Sequence, residues 1–128
     1  MGAELYSIAA QEAAELDTSR LLILRQSLGE RRCREIVEEV VVHLTERLGQ
    51  LEAALELGNI ADAQLVSTRL ASLSEQVGLA DFSRVARDLA ACLCRGDAIA
   101  TAAVAARLRR LGEDSLFSVM VYTDQSAL

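Results

Sequence analysis

The chain of 128 residues is long enough to bury a core of its own, and its hydrophobic content of 52% excludes an intrinsically disordered chain. Ala and Leu occur 21 times each, while Pro and Trp are absent and only four residues are Phe or Tyr, which favours helices over a β-sandwich or barrel. The net charge of −6, with thirteen Arg and no Lys, disfavours nucleic acid and anionic membrane surfaces as partners.

Glycines divide the chain into segments of helical apolar periodicity. Residues 3–16 predict either an N-terminal helix or a frayed segment, and Asp17, Thr18 or Ser19 predicts the cap of a second short helix. Four longer helices are then predicted at about residues 30–57, 60–77, 80–95 and 98–111. Each segment before the last ends at a glycine suited to a left-handed turn, namely Gly29, Gly58, Gly78 and Gly96.

The end of the chain is apolar and is expected to pack rather than to face water. Gly112 is expected to interrupt the last long helix, and residues 116–122 to continue as one or two further helical turns. Two interpretations of this segment stay open, namely part of the core, which we favour, and the seam of a homodimer.

Short connections between successive helices make neighbours antiparallel. The prediction is therefore an all-α protein, an up-down-up-down four-helix bundle with one or two short N-terminal helices. We expect a single domain over residues 1–128, with the bundle core at about residues 19–122. The apolar stripes predict almost complete burial of five leucines, Leu44, Leu48, Leu70, Leu73 and Leu89.

The chemistry-bearing residues are sparse. His43 is the only histidine, and the three cysteines fit no zinc or redox spacing, so no metal and no cofactor are expected. Cys33 and Cys92 are expected in the core and Cys94 on the outer side of its helix. Acidic residues stand where a secretory signal would be basic, so we expect a protein of the reducing cytoplasm.

One motif stands on the predicted helix 60–77. It reads Ser67-Thr68-Arg69-Leu70-Ala71-Ser72-Leu73, and Val77-Gly78-Leu79 follows. With the downstream Phe82 and Leu89, it resembles in register the Ala-His-x-Leu-Lys-Gly-Ser and Leu-Gly-Ala motifs of histidine-containing phosphotransfer domains. The resemblance extends over residues 19–111 and implies a four-helix bundle that acts in two-component phosphorelays.

The chain departs from that family at the site of chemistry. Thr68 occupies the position of the phosphoacceptor His, Ala71 that of the Lys and Ser72 that of the Gly. A Thr hydroxyl is barely ionised at neutral pH, and the sequence shows no His beside it to act as a base. Arg69 points about 100° away around the helix, so it supplies no cation in place of the missing Lys. The expectation is a degenerate domain that is not an enzyme.

A face of the same helix is the candidate binding surface. By helical spacing it consists of Gln64, Thr68, Ala71, Ser72 and Glu75, and we expect all of them to be exposed. The functional interpretation is a docking face for a receiver domain or a histidine kinase. The alternative is an ordinary solvated helix face. The arginines of the two following helices are expected on solvated faces, in pairs such as Arg84–Asp88, with a basic patch for an acidic receiver pocket as the less favoured interpretation.

Three hypotheses for function follow. The first is a signalling module of the bacterial cytoplasm, related to phosphotransfer domains but unable to carry phosphate, that binds a receiver domain or kinase. The second is an active phosphotransfer protein that uses His43 or Thr68. The third is a helical adaptor or homodimeric bundle with no connection to phosphorelays. The sequence leaves open whether the protein is a monomer or a homodimer.

Overall fold

A computed structural model describes residues 16–127, which form five α-helices and no strand. The prediction of an all-α fold is confirmed. The N-terminal helix predicted at residues 3–16 falls almost wholly outside the described residues. The helices are α1 Thr18–Leu28, α2 Glu30–Glu56, α3 Ile60–Gln76, α4 Ala80–Arg95 and α5 Ala98–Ala127.

The four longer helices pack as a bundle. α3 contacts α2 on one side and α4 on the other, and α5 contacts α4 and also α2, which closes the ring. Consequently α3 and α5 lie diagonally across the bundle, while α1 packs against α2. Among the described helices none combines the length and the hydropathy needed to cross a membrane.

The core follows the apolar stripes. Leu44, Leu70 and Leu89 are fully buried, as predicted. Leu48 and Leu73 are only half-buried, so this part of the prediction is wrong. Both lie at the edge of their stripes. The buried face of each helix is determined by the helices that pack against it and not by the leucine positions alone.

The last helix is longer than predicted. The predicted interruption at Gly112 is wrong, since α5 continues through this residue to Ala127. A Cβ atom at Gly112 would lie 3.2 Å from Cε2 of Phe82 and 3.3 Å from Cδ1 of Leu48, so this glycine allows α5 to approach its neighbours closely. The cost of Gly within a helix, about 1 kcal/mol, is offset by this packing and by the apolar residues that follow.

In residues 116–122 one side of α5 packs against the core. Val119 is fully buried, and Leu116 and Tyr122 pack against the core. The guanidinium carbon of Arg25 lies 5.7 Å from the centre of the Tyr122 ring, which connects α5 to α1. The interpretation of this segment as core therefore holds for one side of the helix, whereas Phe117 on the other side is 72% exposed.

The turns agree with the glycine pattern. All four predicted turn glycines have positive φ. Asp17 caps α1 by accepting a hydrogen bond from the Ser19 amide at 3.1 Å. The Asp17 amide in turn donates to the Gly78 carbonyl at 2.7 Å, so the start of α1 lies directly on the α3–α4 turn.

Candidate functional site

The outward side of α3 carries Thr68, which is exposed as predicted. Its hydroxyl donates a hydrogen bond to the carbonyl of Gln64 at 3.0 Å, one helical turn earlier. Ser72 and Glu75 are exposed, and Gln64 is half-buried. The hydroxyl proton of Thr68 is thus held by the backbone of its own helix, an arrangement typical of Thr within helices.

Ala71 does not belong to this surface. The expected exposure of Ala71 is wrong, because its exposed fraction is 1%. Its carbonyl accepts hydrogen bonds from the hydroxyls of Ser74 and Ser83, both at 3.0 Å. Small buried residues on both helices let α4 pack closely on this side of α3, and α4 therefore covers the position where the resemblance places a Lys.

The exposed face of α3 is rotated away from α4 relative to the prediction. Leu65 is 48% exposed and stands three residues before Thr68, on the same side of the helix. Ala61 and Ser72 continue this line, and both are exposed. The face therefore has small and apolar side chains at its centre. The sequence interpretation missed Leu65 because it placed Ala71, which α4 covers, on the exposed face, and so placed the whole face too close to α4.

Beside the C-terminal half of α3 lies a cleft that sequence reasoning did not identify. Arg87 on α4 donates from Nη1 to the Ser83 hydroxyl at 2.5 Å and from Nη2 to Oε2 of Glu75 at 2.7 Å. Since Ser83 itself donates to the Ala71 carbonyl, these bonds connect α4 to α3 along the edge of the exposed face. The cleft has a volume of about 330 Å³ and is lined by Asp17, Arg20, Glu75, Gly78, Ala80, Ser83, Arg84, Arg87 and Asp88.

Charges in the cleft are balanced. Three arginines line it together with three carboxylates, so it has no excess positive charge to attract an anion. Arg84 pairs with Asp81 at 2.7 Å, not with Asp88 as predicted, because an acidic side chain three residues earlier is also within reach on a helix. The hydrogen bond from the Ser19 side chain lowers the pKa of Asp17.

The ion pair between Arg87 and Glu75 has a consequence for phosphate chemistry. Glu75 follows Thr68 by seven residues, which corresponds to about 10.5 Å along the helix axis. The guanidinium of Arg87 is engaged by both Glu75 and Ser83. An exposed hydroxyl and an ion-paired guanidinium are therefore the two groups on this side of α3 that bear on phosphate chemistry.

Replacing Arg87 by Gln is expected to raise the pKa of Glu75. The hydrogen bond from Arg87, followed by its charge, lowers the pKa of this carboxyl below its usual value of 4.5. The ion pair therefore makes its full contribution to stability at pH values above the pKa of Glu75 in the unfolded state. That contribution is lost as the pH falls through the lower pKa of Glu75 in the folded state. Carboxyl carbon shifts in an NMR titration measure the change directly.

The control for this titration is Arg84→Gln, because Arg84 pairs with Asp81 instead. We expect it to leave the pKa of Glu75 close to the parent value. If Arg87→Gln and Arg84→Gln gave the same pKa for Glu75, the ion pair across the two helices would be disproved.

The remaining reactive side chains lie apart from this face. His43 is exposed on α2, and Cys94 is exposed on α4, while Cys33 and Cys92 are buried, as predicted for all three cysteines. Within residues 16–127 no group of three His, Cys, Asp or Glu side chains is placed to hold a metal ion.

Comparisons with known proteins add information at the level of the fold. No family model matches the chain, and a search of curated proteins finds no match. Among solved structures, histidine-containing phosphotransfer protein B from Pseudomonas aeruginosa is similar, with a TM-score of 0.75 and 21% sequence identity. The similarity covers 87% of this chain and 92% of that protein. The chain therefore has the helical-bundle fold of that histidine-containing phosphotransfer protein.

Proposed function

We propose that the protein is a phosphorelay signalling module of the bacterial cytoplasm that binds a receiver domain or a histidine kinase without carrying phosphate. The observation that carries this proposal is the shared fold, combined with Thr68 in the place where the sequence resemblance puts the phosphoacceptor His. The module acts by binding and does not catalyse a reaction.

The chemistry of the α3 face supports loss of phosphotransfer. A neutral imidazole nitrogen is a good nucleophile for phosphorus at neutral pH, whereas a Thr hydroxyl is a weak one unless a base removes its proton. The Thr68 hydroxyl donates its proton to the Gln64 carbonyl, and Arg87 is engaged by Glu75. Among the described residues, these contacts supply neither a base for the Thr68 hydroxyl nor an unpaired Arg87 for phosphoryl oxygens.

The α3 face keeps features that suit docking of a partner helix. Its exposed members are Ala61, Leu65, Thr68, Ser72 and Glu75, and Gln64 is half-buried at the edge. A small residue at 72 permits close approach of two surfaces, and Leu65 offers apolar area that a partner could bury. Ala71 contributes beneath the surface by letting α4 pack closely, and it does not contact the partner.

The test combines binding and phosphotransfer. The purified protein is mixed with a panel of receiver domains, each unmodified or carrying radioactive phosphate, and both complex formation and acid-labile label are measured. We expect a complex with at least one receiver and no label on this protein. Ser72→Arg should abolish that complex, because a long charged side chain separates the surfaces, while circular dichroism stays unchanged.

The matched control is Ser27→Arg, the same change at an exposed position on α1, which should bind the receiver as the parent does. If acid-labile label appeared on this protein and was absent from a His43→Ala variant, the proposal would be wrong and His43 would be the phosphoacceptor. A complex that tolerates Ser72→Arg would place the docking surface elsewhere. Absence of any complex across the panel would favour a helical adaptor unrelated to phosphorelays.

A further inference from the structure

The outward side of α5 carries a regular stripe that the bundle does not use. Its positions alternate in steps of four and three residues, the heptad spacing of coiled coils. The two large apolar members are among the most exposed large hydrophobic residues described, with 87% exposure for Ile99 and 72% for Phe117. The stripe consists of Ile99, Ala103, Ala106, Arg110, Glu113 and Phe117, and Met120 continues it; Ala106 and Met120 are half-buried and the others exposed.

The core-facing side of α5 is a different set of residues. Leu108, Leu111 and Val119 are buried against the other helices, and Gly112 gives close approach there. Phe117 lies about 160° around the helix from Val119, so it cannot serve the core of its own bundle. An exposed Phe on a regular heptad stripe indicates a surface made for another helix.

The stripe is complementary to itself when two copies run antiparallel. With a two-fold axis that passes between residues 111 and 112, Arg110 of one copy stands opposite Glu113 of the other. In the same register Phe117 stands opposite Ala106, and Met120 opposite Ala103. At these positions each large side chain meets a small one and each central charge meets its opposite, as a two-fold interface requires, while Ile99 stands opposite Asp124 at the rim of the contact.

The charges along α5 favour this orientation over the parallel one. Arg107 and Arg110 precede the midpoint, whereas Glu113, Asp114 and Asp124 follow it, and all are exposed. A parallel pair would place Arg against Arg and Glu against Glu, which is unfavourable. An antiparallel pair places the basic half of one helix along the acidic half of the other and sets the register.

We propose that the protein forms a symmetric homodimer through antiparallel contact of two α5 helices. In this register the stripes of the two copies oppose each other from residue 103 to residue 120, over about 26 Å, a length that suits an interface near the lower limit for specific contacts, on the order of 1,200 Å². α3 lies diagonally opposite α5, so both α3 faces stay free in the dimer. The dimer does not depend on the proposed function.

A charge-swap series followed by sedimentation velocity tests this dimer. The full chain should dimerise with a dissociation constant in the micromolar range. Arg110→Glu and Glu113→Arg should each raise that constant roughly tenfold, since each places two like-charge contacts in the dimer. The double variant Arg110→Glu/Glu113→Arg should restore the parent value, because the opposite charges face each other again. Such a rescue is expected only from direct contact between the two positions.

Phe117→Arg should give a monomer at concentrations where the parent is dimeric, and circular dichroism checks that it is folded. The control is Leu57→Arg, a similar change at an 82% exposed leucine in the α2–α3 turn, which should leave the dimer intact. A parent that sediments as a monomer at millimolar concentration overturns the proposal. So does a double swap that is as weak as the single variants, or weaker.

Discussion

Replacing Leu70 by Ala is expected to lower the free energy of unfolding by about 2–5 kcal/mol. Leu70 is fully buried in α3, the helix that packs between α2 and α4. Its removal loses the transfer free energy of the side chain and leaves a cavity that three helices would have to move to fill. Chemical denaturation followed by circular dichroism measures the loss as a lower midpoint with an unchanged slope.

The matched control is Leu65→Ala on the same helix. It deletes the same atoms from a side chain that is 48% exposed, so the expected loss is well below 1 kcal/mol. Equal losses in the two variants would contradict the assignment of Leu70 to the centre of the core.

Replacing Gly78 by Ala is expected to lower the free energy of unfolding by about 2–4 kcal/mol. Its φ is +82°, a value that L-residues with a side chain adopt at a cost. The added Cβ would also overlap the carbonyl oxygen of Asp17, which belongs to the backbone and cannot rotate away. The start of α1 would have to move, and the bond from the Asp17 amide to the Gly78 carbonyl would be lost.

Gly58→Ala separates the two causes. Gly58 has a similar φ of +69°, but no atom lies within 4 Å of the Cβ position, so only the backbone strain of about 1 kcal/mol is expected. The difference between the two variants then measures the close approach of Asp17 to the α3–α4 turn. Equal destabilisation by the two substitutions would show that this contact adds nothing to stability.

The buried position of Ala71 changes how the departure from phosphotransfer domains is understood. At this position a Lys would have its Cα beneath α4, next to the Ser83 hydroxyl that bonds the Ala71 carbonyl. In this chain Ser67, Ser74 and Ser83 are all buried between the two helices. The small residues thus give α3 and α4 a close packing distance, and the cationic side chain that bonds Ser83 is Arg87, which is paired with Glu75.

Much of the architecture was determined by the sequence alone. The positive-φ glycines end the helices where periodicity predicts, and Asp17 caps α1 as its side chain suggests. The stripes identify Leu44, Leu70 and Leu89 as core. These features are local, because a cap, a left-handed turn and a period of 3.6 residues depend on amino acids within one or two helical turns.

Tertiary packing decided the rest. The low helix propensity of Gly112 predicts an interruption, yet the helix continues. Phe82 and Leu48 pack against the bare backbone at Gly112, and this packing offsets the cost of a glycine in a helix. Glu75 and Arg87 are twelve residues apart, and no local spacing predicts that they pair. Periodicity places Ala71 on the surface, because it predicts that a helix has a buried stripe but does not predict how wide the stripe is. That width is set by which neighbouring helix packs on each side and how closely, and this depends on contacts between residues distant in the chain.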